Sequence, residues 1–156
     1  MEAEFEMSMV EKLENFLGIQ ISQMEHNIFI SQSKYAKNIV KKFGLESANS
    51  KRTPLETHVK ITRDEDGKEV DINNYKNMIG SLLYLTASRP DIAHSVGVCA
   101  RYQAASKESH LNLVKTIIKY VQGTLLFSIY FCITVKQTVQ VVSEAYPGSI
   151  HAIQHL

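Results

Sequence analysis

Lys34, Lys37 and Lys41 stand at i, i+3, i+7, a spacing that puts three ammonium groups on one side of a helix, with Lys42 close behind. A cationic row at this pitch has two uses: it solvates a helix face, or it meets a run of phosphates. His151 and His155, at i, i+4, have the pitch with which one helix face grips a metal. No third ligand or general base stands near them, so no metal site is expected. His110 falls with Val114, Ile117 and Val121 on an apolar helix face, where a hydrogen-bonded core histidine is expected. The chain contains no G-x-S-x-G, no phosphate-binding glycine loop and no H-E-x-x-H. Its acidic residues nowhere form the paired aspartates of a two-metal phosphoryl-transfer site. Residue chemistry alone therefore describes no self-sufficient enzyme. Cys99 and Cys132 are the two cysteines, far apart in apolar surroundings, and read as buried free thiols in a reducing, intracellular compartment (cytoplasm or nucleus).

These groups need a scaffold, and the composition can supply one. The 156 residues are 44% hydrophobic and 21% charged, an ordinary balance for one globular domain or a piece of a larger protein. A net charge of +1 gives no global attraction to nucleic acid or membrane. The distribution is uneven, however. Residues 1–14 carry five glutamates against Lys12, while residues 34–52 carry Lys34, Lys37, Lys41, Lys42, Lys51 and Arg52 against Glu46. No run of 18 apolar residues occurs and the N-terminus is acidic, so neither a membrane span nor a signal peptide is expected.

The period of the apolar residues divides the chain. "LENFLGIQISQMEHNIFISQSKY" reads as a β-hairpin turning at "MEHN", with Phe16, Ile19 and Ile21 in the first strand. Gly18 interrupts that strand, marking either a bulge or a place where another backbone comes close. Ser31 or Ser33 caps a helix over residues 33–43 that buries Tyr35, Ala36, Ile39, Val40 and Phe43, and Gly44 supplies its left-handed terminus. Residues 45–72 are polar, turn-rich and aperiodic, with "DEDG" read as a solvated turn. Three helices follow. The first, near 73–87, buries Met78, Ile79, Leu82, Leu83 and Leu85. The second opens at Pro90 or Asp91 and runs to Tyr102. The third is capped by Ser106, carries the stripe Leu111, Val114, Ile117, Ile118 and Val121, and ends at Gly123. "LLFSIYFCITV" and "QTVQVV" form a second hairpin, and the tail from Ser143 has no assignment.

Four stretches in register resemble the Pol polyprotein of copia-type LTR retrotransposons. They are "EFEMSM" with "LENFLGIQI", "IFISQSKYAKNIVKKFGLESANSKRTPLE", "YKNMIGSLLYLTASRPDIAHSVGVCARY" and "HLNLVKTIIKYVQGT". The order and spacing hold over residues 4–131, most of the chain. The resemblance implies the C-terminal part of a reverse transcriptase, up to the start of ribonuclease H. It implies an α+β fragment of a larger polymerase: a β-hairpin, a thumb-like helix, a long loop, a three-helix subdomain and a C-terminal hairpin. On the same ground, residues 1–44 hold the end of the palm, a primer-grip-like hairpin and the thumb-like helix. Residues 45–72 are a polar linker, 73–124 a connection-like helical subdomain, and 125–156 a hairpin with a degraded start of ribonuclease H.

Residue by residue, the resemblance places Leu17 and Gly18 at the tip that grips a primer end. It puts Lys34, Lys37, Lys41 and Lys42 on a helix that tracks the sugar-phosphate backbone of a duplex. The family's Tyr-x-Asp-Asp turn corresponds to sequence upstream of Met1, so no catalytic residue is expected here, and Mg²⁺ only in the intact parent enzyme. The expected partners are an RNA–DNA or DNA duplex, held weakly, or another protein on an exposed apolar face near Phe16, Ile19 and Ile21, but no membrane. The chain also departs from the family. Leu111 replaces a tryptophan, and Asn112, Thr116 and Gln122 stand where basic residues are usual. Glu144 falls one place from the first ribonuclease H carboxylate.

Overall fold

The computed structural model describes residues 15–23, 27–56, 60–133, 139–144 and 150–153, with side chains described for 17–23, 27–56 and 60–129. The acidic stretch 1–14, the tip of the "MEHN" turn and His155 lie outside these residues. So do the side chains of Phe16, Cys132, Glu144 and His151.

The fold is α+β. Its strands are β1 (Asn15–Phe16), β2 (Ile19–Gln23), β3 (Asn27–Ser31), β4 (Ser128–Ile133), β5 (Val139–Glu144) and β6 (Ile150–Ile153). Among the described residues, four helices, α1 (Ser33–Lys42), α2 (Ile72–Leu85), α3 (Pro90–Ala100) and α4 (Glu108–Gly123), stand between β3 and β4. All six strands form one antiparallel sheet in chain order, with β3 pairing β4 through Phe29↔Tyr130 and Ile30↔Ile129. The two expected hairpins are thus halves of a single sheet, and the unassigned tail adds β6 to it. His151 lies on this strand and not on a helix, and His155 lies outside the described residues.

Helix α1 shows why the chain turns where it does. Gln32 is its N-cap residue and makes no side-chain cap bond; Ser31, one place earlier, accepts the Ser33 N–H at 3.2 Å. At the other end Gly44 adopts φ +66°, its N–H donates to the Lys41 carbonyl at 3.0 Å, and the Leu45 N–H donates to Val40 at 3.0 Å. That pair of bonds is a Schellman motif, and Leu45 folds back onto the core.

Asp71 caps α2 by accepting from the N–H groups of Asn73 and Asn74. Tyr75, Met78, Ile79, Leu82 and Leu85 are buried on its inner stripe, whereas Leu83, expected inside, is 45% exposed. At about 100° per residue Leu83 lies to one side of the stripe that runs through Ile79 and Leu82. The expected Ser106 cap of α4 is also replaced. The cap residue is Lys107, whose N–H donates to Nδ1 of His110 at 3.1 Å, closing the first turn from within. Nδ1 is therefore the acceptor and Nε2–H the donor, bonded to the Thr62 carbonyl at 2.8 Å. His110 is the buried, hydrogen-bonded histidine its position in the apolar stripe implies.

One core joins the helices: Ile39 and Val40 from α1, Ile79 and Leu82 from α2, Ile92 and Val96 from α3, and Ile117 and Ile118 from α4. The polar stretch after α1 is strapped along α4. Its Lys51 N–H donates to the Lys119 carbonyl, the Tyr102 hydroxyl donates to Ile61, and the Glu108 N–H donates to Lys68. Asp64 of the "DEDG" turn accepts from the Ser109 hydroxyl, so that turn is anchored to α4 and not merely solvated.

The α2–α3 corner is closed by Arg89, 2% exposed. Its guanidinium binds Asp91 twice, through Nε at 2.9 Å and Nη2 at 2.8 Å. It also donates to the Thr124 carbonyl at 3.1 Å and hydroxyl at 2.7 Å, and lies 4.4 Å from the Phe127 ring centre. One planar, five-donor group thereby ties the start of α3 to the segment between α4 and β4. Beside it, the Ser88 hydroxyl donates to the buried Gln32 amide at 2.6 Å, fastening the joint between β3 and α1.

Candidate nucleic-acid interface

The lysine row is set by the seam it opposes. Ala36, Ile39 and Val40 are buried, and Lys34, Lys37 and Lys41 fall within about 60° of one another on the opposite side. All three are exposed, and among the described residues no carboxylate comes within ion-pair distance of them. Lys42 stands about 80° from Lys34, off the row, with its Nζ 5.1 Å from the Phe43 ring centre.

Leu17 and Gly18 are not a bulge within one strand. They form a two-residue connection between β1 and β2, with φ +50° and +79°. Two successive positive φ values are what a type I′ hairpin turn requires, and glycine suits the second position. The strain falls on Leu17, which is a non-glycine residue in the left-handed region and is 71% exposed. A Cβ on Gly18 would stand 3.9 Å from the Tyr84 ring, so the glycine is required by its φ and not by crowding.

The turn lies beside Tyr84 of α2. Tyr84 meets Tyr35 of α1 edge to face, with ring centres 4.9 Å apart at 73°. The Tyr35 hydroxyl donates to the Ser81 carbonyl at 3.2 Å, and burial raises its pKa above the usual tyrosine value. The Gly18 position thus neighbours the tyrosine pair that joins α2 to the Lys34 end of α1. Lys41 and Lys42 lie about 10 Å further along the helix. Reasoning from the sequence missed this aromatic bridge, because the two tyrosines lie 49 positions apart in separate helices. Ile19 and Ile21 are half-buried; the exposed apolar side chains at this end are Leu17, Leu83 and Tyr84.

Two of the positions where the resemblance implies basic residues make internal contacts. The Thr116 hydroxyl donates to the Asn112 carbonyl at 2.9 Å and the Gln122 amide donates to Glu46 at 3.4 Å. The half-buried Leu111 packs against the core.

The aspartates do not stand as a metal-binding pair among the described residues. Of the four aspartates, Asp71 caps α2, Asp91 is held by Arg89 and Asp64 accepts from Ser109. Asp66 is exposed, and among the described residues no three metal-ligating side chains cluster. Asp64, Ser109 and His110 share a cleft of about 310 Å³, but both histidine nitrogens are bonded to backbone and neither to Ser109. No nucleophile–base pair exists there. Among the described residues, no helix is long and apolar enough to cross a membrane.

Comparison with known proteins bears on the family. Residues 1–57 match the family model described as reverse transcriptase (RNA-dependent DNA polymerase). An uncharacterized mitochondrial protein of Arabidopsis thaliana is 29% identical over 141 residues, 90% of this chain and 58% of that protein. The retrovirus-related Pol polyprotein from transposon TNT 1-94 of Nicotiana tabacum is 31% identical over 77% of this chain. That from transposon RE2 of Arabidopsis thaliana is 30% identical over 73%. This chain spans 10% and 8% of those two polyproteins. No solved structure matches. Together the matches place the chain in the copia-type retrotransposon Pol family, in a segment related to its reverse transcriptase.

Proposed function

We propose that these residues form a non-catalytic part of a copia-type reverse transcriptase that contacts the template–primer duplex. On this reading α1 is the thumb-like helix and the β1–β2 turn is the primer-grip-like tip. Residues 1–44 then carry the palm end and grip, 45–72 a polar connector, 73–124 a connection-like helical unit, and 125–156 the approach to ribonuclease H. The observation that carries the reading is the row Lys34, Lys37 and Lys41, exposed, without an ion pair among the described residues, and backed by a packed core. Lysines so placed neutralise phosphates without reading bases, which suits a polymerase that must accept any sequence. The exposed Leu17, held at positive φ, adds to it.

The test is binding to an RNA–DNA hybrid as salt is raised. Four phosphate contacts predict a log–log slope of about −3 to −4, which Lys34→Gln/Lys37→Gln/Lys41→Gln reduces by about 3. A flat slope refutes the reading. With primer, template, nucleotides and Mg²⁺, the expected extension is nil, because no pair of free aspartates is available; extended primer refutes the non-catalytic part.

A second reading, a protein-interaction module derived from the transposon, is favoured by Leu17, Leu83 and Tyr84, all exposed at one end. It predicts salt-insensitive association with an intact reverse transcriptase that Leu17→Asp abolishes.

A further inference from the structure

At the α4 N-terminus lies a second cationic surface that the duplex reading does not use. Arg63, Arg101 and Lys107 converge on a cleft of about 720 Å³, with Tyr102 and Glu65 also on its wall. Its walls are held in place. Tyr102 stacks on His110 at 4.1 Å and donates its hydroxyl to Ile61, while His110 binds the Thr62 carbonyl. Arg63 is thus the next residue after two pinned carbonyls, and Arg101 the residue before a pinned tyrosine. Lys107 is fixed as the α4 cap and by the Glu69↔Lys107 bridge.

Three cations face the cleft against one carboxylate on its wall, Glu65, and a second, Glu69, beside Lys107. Among the described residues, Arg63 and Arg101 make no ion pair, and Lys107 meets Glu69 at 3.5 Å, a carboxylate side chain that is 88% exposed. Two planar guanidinium forks and an ammonium around one concavity can donate to several oxygens of a tetrahedral phosphate. The volume lies in the range of nucleotide-sized ligand sites. The loop after α1 bonds Lys119 and Gln122 at the far end of α4, about 20 Å by helix rise from Lys107. The cleft is therefore separate from the end of α4 to which the lysine helix is strapped.

We propose that the Arg63–Arg101–Lys107 cleft binds phosphate, carried either by a free nucleotide or by a phosphodiester strand. The inference does not depend on the α1 lysines. The full chain is titrated at low salt with inorganic pyrophosphate and, separately, with a short single-stranded DNA, following the arginine Nε–Hε resonances. The expected result is that at least one probe shifts both the Arg63 and Arg101 signals. Arg63→Gln/Arg101→Gln then weakens that probe by about tenfold or more. Pyrophosphate binding supports a free-nucleotide ligand, and a response to the strand alone supports a polynucleotide. Lys34→Gln/Lys37→Gln/Lys41→Gln leaves the pyrophosphate response unchanged, so failure of the cleft and failure of the lysine face are told apart. No shift with either probe overturns the proposal, as does undiminished binding by an arginine variant that melts like the parent. The wild-type shifts read the site without any substitution.

Discussion

Single side chains hold this fold at places where their replacement has defined consequences. Arg89 is the clearest. Arg89→Met would leave Asp91 without its cation and Thr124 without its donors, for an expected loss of about 3 kcal/mol in urea unfolding. Arg89→Lys recovers little of that, because an ammonium cannot reproduce the fork to Asp91 and the contacts to Thr124 together. Burial also governs the acid–base chemistry. It pushes the Cys99 thiol up to about 11 from 9.0, and burial with the Asp91 carboxylate pushes Tyr120 up to about 12 from 10.0. Both groups release their protons from the unfolded chain before the folded one. Stability from this source is therefore complete below about pH 9 and is lost as pH rises from about 9 to 12. Urea midpoints should fall from pH 8 to pH 10.5, and Tyr120→Phe should flatten part of that fall. The buried Cys99 thiol should also escape alkylation until the protein unfolds, read in a Cys132→Ser background.

At the scale of the element, the local rules were readable and the exceptions follow from tertiary contacts. The α1 stripe, the Pro90 start of α3 and the Gly44 terminus all stand where apolar period and helix-end chemistry put them. An added Cβ at Gly44 meets nothing within 4 Å, so Gly44→Ala should cost about 1 kcal/mol through its positive φ alone. The α4 cap was not readable, because a histidine returning to the backbone from N3 does the work expected of Ser106. Gly18 was half readable: glycine signalled an unusual backbone, but only strand pairing shows a turn and not a bulge. Leu17→Asn places a residue tolerant of positive φ at the first turn position and should stabilise the protein by about 1 kcal/mol. If Leu17 serves a partner or a duplex, the same variant should bind less well while melting higher. Equal binding by this variant would leave that backbone strain without a use.

At the scale of the whole molecule, the pairing of β3 with β4 was invisible in the sequence. No periodicity signals that residues 27–31 and 128–132 belong side by side. The strap between α1 and α2 was hidden too, because polar, aperiodic sequence reads as free chain although backbone and hydroxyl groups fasten it to α3 and α4. The candidate lysines were legible from spacing alone; their nearness to the Leu17–Gly18 turn depends on Tyr35 and Tyr84 meeting in space. Removing residues 128–156 would strip β3 of one neighbour and should leave a species that self-associates in size-exclusion chromatography. A single residue, Gln32, separates the end of β3 from the start of α1, and its amide is clamped by Ser88. Sheet and cationic helix therefore meet at a one-residue, hydrogen-bonded joint, so a change in the tilt of the hairpin should carry the lysine row with it.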